Sequence, residues 1–390
     1  MPLSRRRIAT LLLACLLCPC AGADSAPAPG LTLGGYTQLW YLYEQAPNGK
    51  KQDVTEDMGA QEASGFNLYR ARLTASGRWE NAGMNFMLRL EGGSVGLLDA
   101  YGYWQVIGRA LEIDAGQMKI PSAWEVLVPD EDLDFVTRSR FASEIANWSL
   151  SKSPFSTSPF YYVQTQNRDL GAAAKGEFRG LSYMVMIGNG LGAGNYIGAD
   201  ENRGFVYANP FGAYFYGGRL TYDLLTELRE TLGVPAAFVV GGHYCINNHP
   251  NFIYNDAKTV LDINRSSWSV DAHMGLFDVL RLTGMYGEGV VNDDYDNDGQ
   301  TDYTYRGWEV SAMVVIVKDF LEAGARFDSY AWNRAVTSGW ANANALTAGV
   351  NFSWTSHVRL QLNYKYKFQT GDLTQATDAH VLLLSTQVRF

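Results

Sequence analysis

The chain has 390 residues, of which 40 are acidic and 31 are basic, and its formal charge at pH 7 is −9. This acidity argues against nucleic-acid binding, which needs a basic surface. Beyond residue 23, no apolar run approaches the ~18 residues of a membrane-spanning helix, while aromatic residues reach 13%.

The N-terminus has the three parts of a secretory signal peptide. Three arginines at 5–7 precede an apolar stretch at 8–17, and small residues at 21–23 form a cleavage site. We expect residues 1–23 to be removed and 24–390 to form one mature domain. A lipoprotein signal is the alternative, because Leu12-Leu13-Ala14 precedes Cys15. In the first case the basic residues fall from 31 to 28 and Cys245 is the sole cysteine, so no intramolecular disulfide can form.

Sixteen segments show the strand pattern of alternating apolar and polar residues, and helical periodicity is nearly absent. In chain order they are 33–44, 65–80, 84–93, 97–108, 111–121, 168–179, 181–190, 213–224, 234–247, 266–277, 280–290, 303–317, 320–332, 344–356, 358–369 and 380–390. Tight connections follow most even-numbered segments. Long ones follow most odd-numbered segments, at 45–64, 122–167, 191–212, 248–258 and 291–302. The sequence therefore predicts an all-β fold, a sixteen-stranded antiparallel transmembrane β-barrel with both chain ends at the short-turn rim.

The last segment has the clearest alternation. Phe390, Val388, Thr386, Leu384 and Leu382 share one face, whereas Arg389, Gln387 and Ser385 share the other. An apolar face toward lipid and a polar face toward the lumen is typical of such barrels. The terminal Phe390 resembles the signal that the barrel-assembly machinery reads, which predicts a protein of the bacterial outer membrane.

Many basic residues fall on faces that the alternation places inside the barrel. Arg70, Arg72, Arg78, Arg89, Arg359, Lys365 and Lys367 are the bases predicted to line the pore, with Arg389 at its end. In the same strand as Arg70, the alternation directs Tyr69 outward. Rings of Arg and Lys favour anions, so we expect a passive channel for small anionic or polar solutes. The alternative is that these bases pair with lumenal acids such as Glu91, Glu322 and Asp328 and only hydrate the pore.

Four short motifs resemble the phosphate-selective porins of the O and P type. They are NLYRARL at 67–73, LDAY at 98–101, GQMKIP at 116–121 and RDLG at 168–171. The resemblance implies a homotrimer of sixteen-stranded barrels. It also implies a third outer loop, here 122–167, that folds into the lumen and passes anions such as phosphate over arginines and loop lysines. It adds Lys119, Arg138 and Arg140 to the candidate anion-binding residues.

The third loop departs from that pattern. It holds six acids (Glu125, Asp130, Glu131, Asp132, Asp134 and Glu144) against the three bases Arg138, Arg140 and Lys152. A general or cation-preferring pore is therefore a second interpretation. A third is a structural sheath around a multihaem cytochrome that conducts electrons. This chain has no haem-attachment motif of its own, and sixteen strands form a narrow sleeve.

One acidic loop predicts a calcium site. Asp294, Asp296, Asp298 and Asp302 have the spacing of an EF-hand-type loop, with Gly299 at the sharp turn and the Gln300 carbonyl as a further ligand. Position twelve is Tyr305 rather than the usual glutamate, which predicts weak binding. A solvated acidic loop is the alternative, and no other cofactor is expected.

Enzymatic chemistry has no support in the sequence. There is no nucleophile elbow, no His-Glu-x-x-His and no phosphate-binding P-loop, and the five histidines are scattered. We expect the protein not to be an enzyme.

Overall fold

The computed structural model describes residues 30–45, 64–90, 95–144, 168–189, 214–254, 259–292, 303–334, 341–370 and 379–390. Within these ranges the chain forms sixteen strands and three short α-helices. The strands are β1 (Gly30–Gln45), β2 (Ser64–Trp79), β3 (Ala82–Arg89), β4 (Gly96–Ile107), β5 (Leu111–Lys119), β6 (Arg168–Phe178), β7 (Leu181–Gly188), β8 (Tyr214–Asp223), β9 (Ala236–Tyr254), β10 (Thr259–Leu276), β11 (Leu280–Asn292), β12 (Tyr303–Val317), β13 (Leu321–Arg334), β14 (Ala341–Ser353), β15 (Val358–Thr370) and β16 (Ala379–Arg389). The helices are α1 (Trp124–Leu127), α2 (Arg140–Glu144) and α3 (Thr226–Leu232).

Every strand pairs antiparallel with its neighbours in sequence, and β16 returns to pair with β1, so that the sheet is closed. Closure satisfies the backbone N–H and C=O groups of all strands and leaves no sheet edge. The sixteen predicted segments each coincide with one of these strands. The predicted all-β, sixteen-stranded antiparallel barrel is therefore confirmed.

Tight hairpins join the strands at the rim where β1 begins and β16 ends. Glu80, Arg179, Phe277, Asp278 and Asp319 are the described non-glycine residues with positive φ, and all lie in these turns. Positive φ gives a two-residue turn the twist of the strands it joins. We call this end the short-turn rim and the opposite end the long-loop rim.

Two predicted connections differ from the structure. Residues 248–258 were expected to be a loop, but β9 extends to Tyr254 and β10 begins at Thr259. The prediction was wrong because the ladder continues through this segment and accommodates Pro250 at a register shift opposite Leu261 and Ile263. Helix α3 between β8 and β9 was not predicted either, because seven residues are too few to show a helical period.

The outer face of the barrel is apolar. On β15, Leu362 and Tyr364 are exposed, whereas Gln361, Asn363 and Lys365 between and beside them are at most 4% exposed. Exposed aromatic side chains gather near the short-turn rim at Trp79, Phe178, Tyr222, Phe277, Phe320, Trp354 and Phe390, and near the other rim at Tyr43, Phe66, Tyr214 and Tyr216. Most of the exposed residues between them are aliphatic, and Phe86 in the middle of β3 is an exception. This distribution suits a barrel surrounded by lipid, with aromatic girdles at both interfaces. None of the described helices has the length and apolarity to cross a membrane.

Tyr69 does not face outward as the alternation predicted. The pairing of β1 with β2 shifts register between Gln38 and Leu39, so that β2 has an extra residue at position 69. A bulge of this kind turns one side chain to the opposite face. Tyr69 consequently stacks on the fully buried Trp40, with 3.5 Å between ring centroids.

A matched pair of lysine substitutions tests the assignment of the two faces. Val185 lies mid-strand on the outer face of β7 and is 53% exposed, whereas its neighbour Met184 lines the interior. Val185→Lys should lower the free energy of unfolding by about 2–4 kcal/mol, the cost of a cation at the bilayer midplane. Met184→Lys should cost much less. Urea unfolding in lipid vesicles measures both, and equal losses would contradict the assignment.

Candidate functional site in the barrel interior

The stretch that follows β5, residues 120–144, makes its contacts with inward-facing side chains of the barrel. Amides on the wall donate to its backbone: Gln387 to the carbonyl of Glu131 at 3.1 Å and Asn351 to that of Asp134 at 2.9 Å. In return, the Val136 N–H donates to the side chain of Asn363 at 2.7 Å. The polar wall thus satisfies a backbone that has little hydrogen bonding of its own.

Apolar contacts add to these hydrogen bonds at two places. Val126 and Phe141 pack with Met285, Tyr305 and Tyr330 of β11–β13. On the other side, Val136 packs against inward-facing Trp40, Leu42, Val381 and Leu383 of β1 and β16. The lumen is therefore not uniformly polar. Its apolar residues lie where the 120–144 stretch packs against the wall. Residues 145–167 lie outside the described part of the chain, so the full course of the predicted inward loop stays a prediction.

Four of the six acids in the predicted loop pair with bases. Glu125 lies 3.3 Å from Arg326, Asp134 lies 2.7 Å from Arg281, and Asp132 lies 3.5 Å from Arg389. The fourth, Asp130, is shared by Arg70 at 3.0 Å and by Arg138 at 2.6 Å. Much of the acidity of the loop is therefore neutralised by bases, and Arg70, Arg281, Arg326 and Arg389 fasten the stretch to the wall.

Bases from four strands and from the 120–144 stretch converge in the half of the lumen toward the long-loop rim. This basic cluster consists of Arg70 and Arg72 of β2, Arg89 of β3, Lys119 of β5, Arg168 of β6 and Arg138. Its carboxylates among the described residues are Asp130, Glu131 and Asp99. Asp99 accepts two hydrogen bonds from Arg168 at 2.8 and 3.0 Å, and Glu131 acts electrostatically on Arg70 and Lys119. Six bases thus face three carboxylates.

The register of the sheet forces like charges together in the basic cluster. Arg72 is the cross-strand partner of Arg89, and Lys119 is the partner of Arg168. Like charges directly opposite each other destabilise a sheet. The arrangement is therefore costly for stability, and it concentrates positive charge beside the 120–144 stretch.

Lys119 and Arg70 show how these cations are held. Lys119 ends β5, and its ammonium donates to the carbonyls of Val126 and Leu127 at 3.3 and 3.0 Å. The Arg70 guanidinium lies 4.6 Å from the ring centre of Tyr69 and donates to Gln38 at 3.0 Å. Lys119 is held by backbone carbonyls, and Arg70 is held by a ring and an amide as well as by Asp130, so their charge is only partly compensated.

Asp130 titrates abnormally in this setting. Burial would raise the pKa of Asp130, but Arg70 and Arg138 hold that pKa well below its usual range. A depressed pKa in the folded state adds stability above the ordinary value of about 3.9, which is lost only as pH falls through the lower value. The carboxylate therefore remains an acceptor for both arginines in mild acid. The pKa of the neighbouring Glu131 is raised, because of burial and then because of Asp132 and Asp130.

The other candidate anion residues lie outside the basic cluster. Arg78 donates to Gln105 at 2.9 Å, and Gln105 donates to Glu112 at 3.0 Å. Arg359 donates to the carbonyl of Glu131 at 3.4 Å. Arg140 donates through its backbone N–H to Asp328 at 2.8 Å, and Lys365 and Lys367 are buried on the inward face of β15.

Sequence reasoning missed several interior cations. Arg219, Arg281 and Arg326 pair with acids of the wall or of the 120–144 stretch. Arg168 and Lys175 were missed as well. Arg168 occupies the outward parity of β6, yet at the first residue of the strand its side chain reaches Asp99. Lys175 bridges Glu112 at 2.9 Å and Asp114 at 2.7 Å on the way to the short-turn rim. A cavity of about 400 Å³ lies there, between Leu127 and the wall that includes Lys175. The sequence held a signal for the Lys175 pairs, because Glu112 and Asp114 share one face of a predicted strand and Lys175 lies on the next one.

The predicted calcium ligands, Asp294, Asp296, Asp298, Gln300 and Asp302, lie outside the described residues. Phe390, the predicted assembly signal, is described. Its backbone exchanges two hydrogen bonds with Gly35, at 3.0 and 3.2 Å, and the ring lies over that glycine, where a Cβ would come within 2.9 Å of it. The ladder therefore continues to the last residue, and the ring, 70% exposed, remains on the outer surface.

Comparison with known proteins shows similarity at the level of fold. No family model and no curated protein matches the chain. An anion-selective porin from Comamonas acidovorans superposes with a TM-score of 0.62 at 14% identity, covering 93% of this chain and 100% of that one. The outer-membrane channel DcaP of Acinetobacter baumannii gives 0.59 at 10% identity, covering 95% and 100%. The trimer form of OmpT, an outer-membrane protein of Vibrio cholerae, gives 0.60 at 10% identity, covering 93% and 100%. At these identities the likeness shows the barrel fold.

Removing the shared carboxylate should strengthen the field of the basic cluster. Asp130→Asn leaves Arg70 and Arg138 without their common counter-charge, so we expect a higher anion/cation permeability ratio. Because the pKa of Asp130 lies well below the ordinary value of about 3.9, the difference from the wild type should persist when the pH is lowered from 7 to about 3.9, where an ordinary aspartate is half protonated. Reversal potentials in KCl gradients measure the ratio. Asp132→Asn, on the exposed pair with Arg389, is the control, and a ratio that changes equally in both variants would refute the shared-acid role.

Proposed function

We propose that the protein is a passive diffusion channel of the bacterial outer membrane that favours small anions. The observation that carries the proposal is the basic cluster, in which six bases meet three carboxylates beside the 120–144 stretch. A ring of cations in a narrow, low-dielectric tube acts more strongly on a passing ion than charges on exposed loops do.

The membrane assignment rests on the surface. An apolar band lies between two aromatic girdles, and the ladder is closed. The short turns lie at the same rim as the start of β1 and the end of β16. These are properties of outer-membrane barrels, and the predicted signal peptide agrees with export. The superposed structures are outer-membrane porins and channels by their titles, and a trimeric form occurs among them, so we propose a homotrimer.

Anions in general fit the site better than phosphate in particular. The resemblance to phosphate-selective porins implied loop lysines, but the bases of the loop that the structure describes are Arg138 and Arg140. Five of the six bases in the cluster are arginines, whose planar guanidinium groups bind carboxylates and phosphates alike. We therefore propose small inorganic and organic anions as the solutes.

The two alternative functions fit less well. A cation-preferring pore needs free acids at the narrowing, whereas Glu125, Asp130, Asp132 and Asp134 are engaged by bases. A sheath around a cytochrome needs an open lumen, whereas the 120–144 stretch contacts the walls from β8 through β16 to β2.

Replacing wall arginines tests the proposed selectivity. The triple variant Arg70→Gln, Arg72→Gln, Arg89→Gln removes half of the cations of the basic cluster while keeping polar side chains. We expect a lower anion/cation permeability ratio in bilayer recordings, with the barrel still folded by its heat-modifiable migration. Arg389→Gln, at the short-turn rim, serves as the matched control. An unchanged reversal potential in the triple variant would mean that these arginines only hydrate the lumen.

A further inference from the structure

Helix α3 is a distinctive connection at the short-turn rim. The other described connections at that rim are tight turns, whereas β8 and β9 are joined by Thr226–Leu232, which ends at Gly233 with φ of 63°. Gly233 closes the helix by donating its N–H to the carbonyl of Arg229 at 3.0 Å. Arg229 also pairs with Asp223 at 2.6 Å, so the helix is tied to the end of β8.

Two leucines lie on one face of this helix, and a third lies in the turn before it. Leu228 and Leu232 are spaced by four residues, which places them along one side of an α-helix, and Leu224 precedes the helix. Leu224, Leu228 and Leu232 are 49%, 49% and 65% exposed. Glu227 and Glu230 lie off this face, and Thr226, on the far side, is buried where Gly180 of the β6–β7 turn approaches it. The helix is therefore amphipathic, with its apolar side away from the barrel.

The leucine face continues the lipid-facing surface of β8. Leu220 and Tyr222 face outward and are 55% and 42% exposed. Leu224 follows in the same alternation, and its N–H still donates to Phe238 of β9 at 2.8 Å, as a further rung of the ladder. The row of apolar side chains thus passes from the strand onto the helix without a break.

We propose that the leucine face of α3 inserts into the boundary between headgroups and acyl chains of the leaflet at the short-turn rim. A short helix with leucines on one side and charges on the other suits this position. The inference rests on the proposed membrane location but not on anion selectivity. Its occupant is lipid, because the leucines extend a surface that already carries the aromatic girdle of that rim.

Fluorescence quenching by lipids of known depth tests the proposal. Cys245 is 1% exposed, so a cysteine introduced at the helix can be labelled selectively with an environment-sensitive dye. Leu228→Cys and Leu232→Cys report on the leucine face, and Glu230→Cys, about 200° around the helix from Leu228, is the control. Each labelled protein is reconstituted into vesicles that contain lipids with a quencher near the headgroup end of the acyl chain.

The dye at 228 and at 232 should show blue-shifted emission and lose most of it to the quenching lipid, whereas the dye at 230 should not. Water-like emission at 228 and 232 would overturn the proposal. Blue-shifted emission without quenching would also overturn it and would indicate a contact with a second copy of the chain. Reversal potentials of the same vesicles report selectivity separately, so failure of the anion proposal would leave the quenching result intact.

Discussion

The attachment of the 120–144 stretch to inward-facing bases determines what remains of the lumen. Arg326 and Glu125 are almost fully buried, and breaking such a pair by removing one partner costs about 3–5 kcal/mol. The pair of Arg389 and Asp132 is about half exposed and contributes at most about 1 kcal/mol. The buried end near β13 is therefore the firm anchor, and the pairs near the short-turn rim align the stretch more weakly. The apolar seats of Phe141 and Val136 complete the attachment.

The proposed anion selectivity depends on the charge that is left after this attachment. The chain as a whole is acidic, and so is its third loop, yet the described acids of that loop are largely consumed by pairing. The cations of β2, β3, β5 and β6 outnumber the carboxylates beside them, and two like-charged pairs are forced into register. A net charge computed over the whole molecule would give the opposite sign, because it ignores where each group lies relative to the narrow part of the lumen.

The sequence predicted the parts of the fold that depend on local alternation. The sixteen strands, the closed antiparallel sheet and the facing of β15 and β16 all follow from a period of two. Tyr69 could not be placed, because a bulge in β2 depends on the pairing with β1. The inward Leu42 and Leu383 were equally hidden, because their role depends on Val136, which is distant in sequence. The sequence also could not show which acid pairs with which base. Arg326 and Glu125 are 201 residues apart, and Arg281 and Asp134 are 147 residues apart.

The sequence identified individual basic residues of the cluster more readily than it showed that they lie together. Arg70, Arg72 and Arg89 followed from strand parity, and Lys119 and Arg138 from a resemblance, but only the sheet register shows that they share one region with Arg168. The most direct measurement is crystallography of the protein soaked in bromide and, separately, in rubidium, with the ions located by anomalous scattering. Bromide between Arg72, Arg89 and Arg168, with no rubidium there, is the predicted result. Rubidium in that region, or bromide absent from it, would contradict the account.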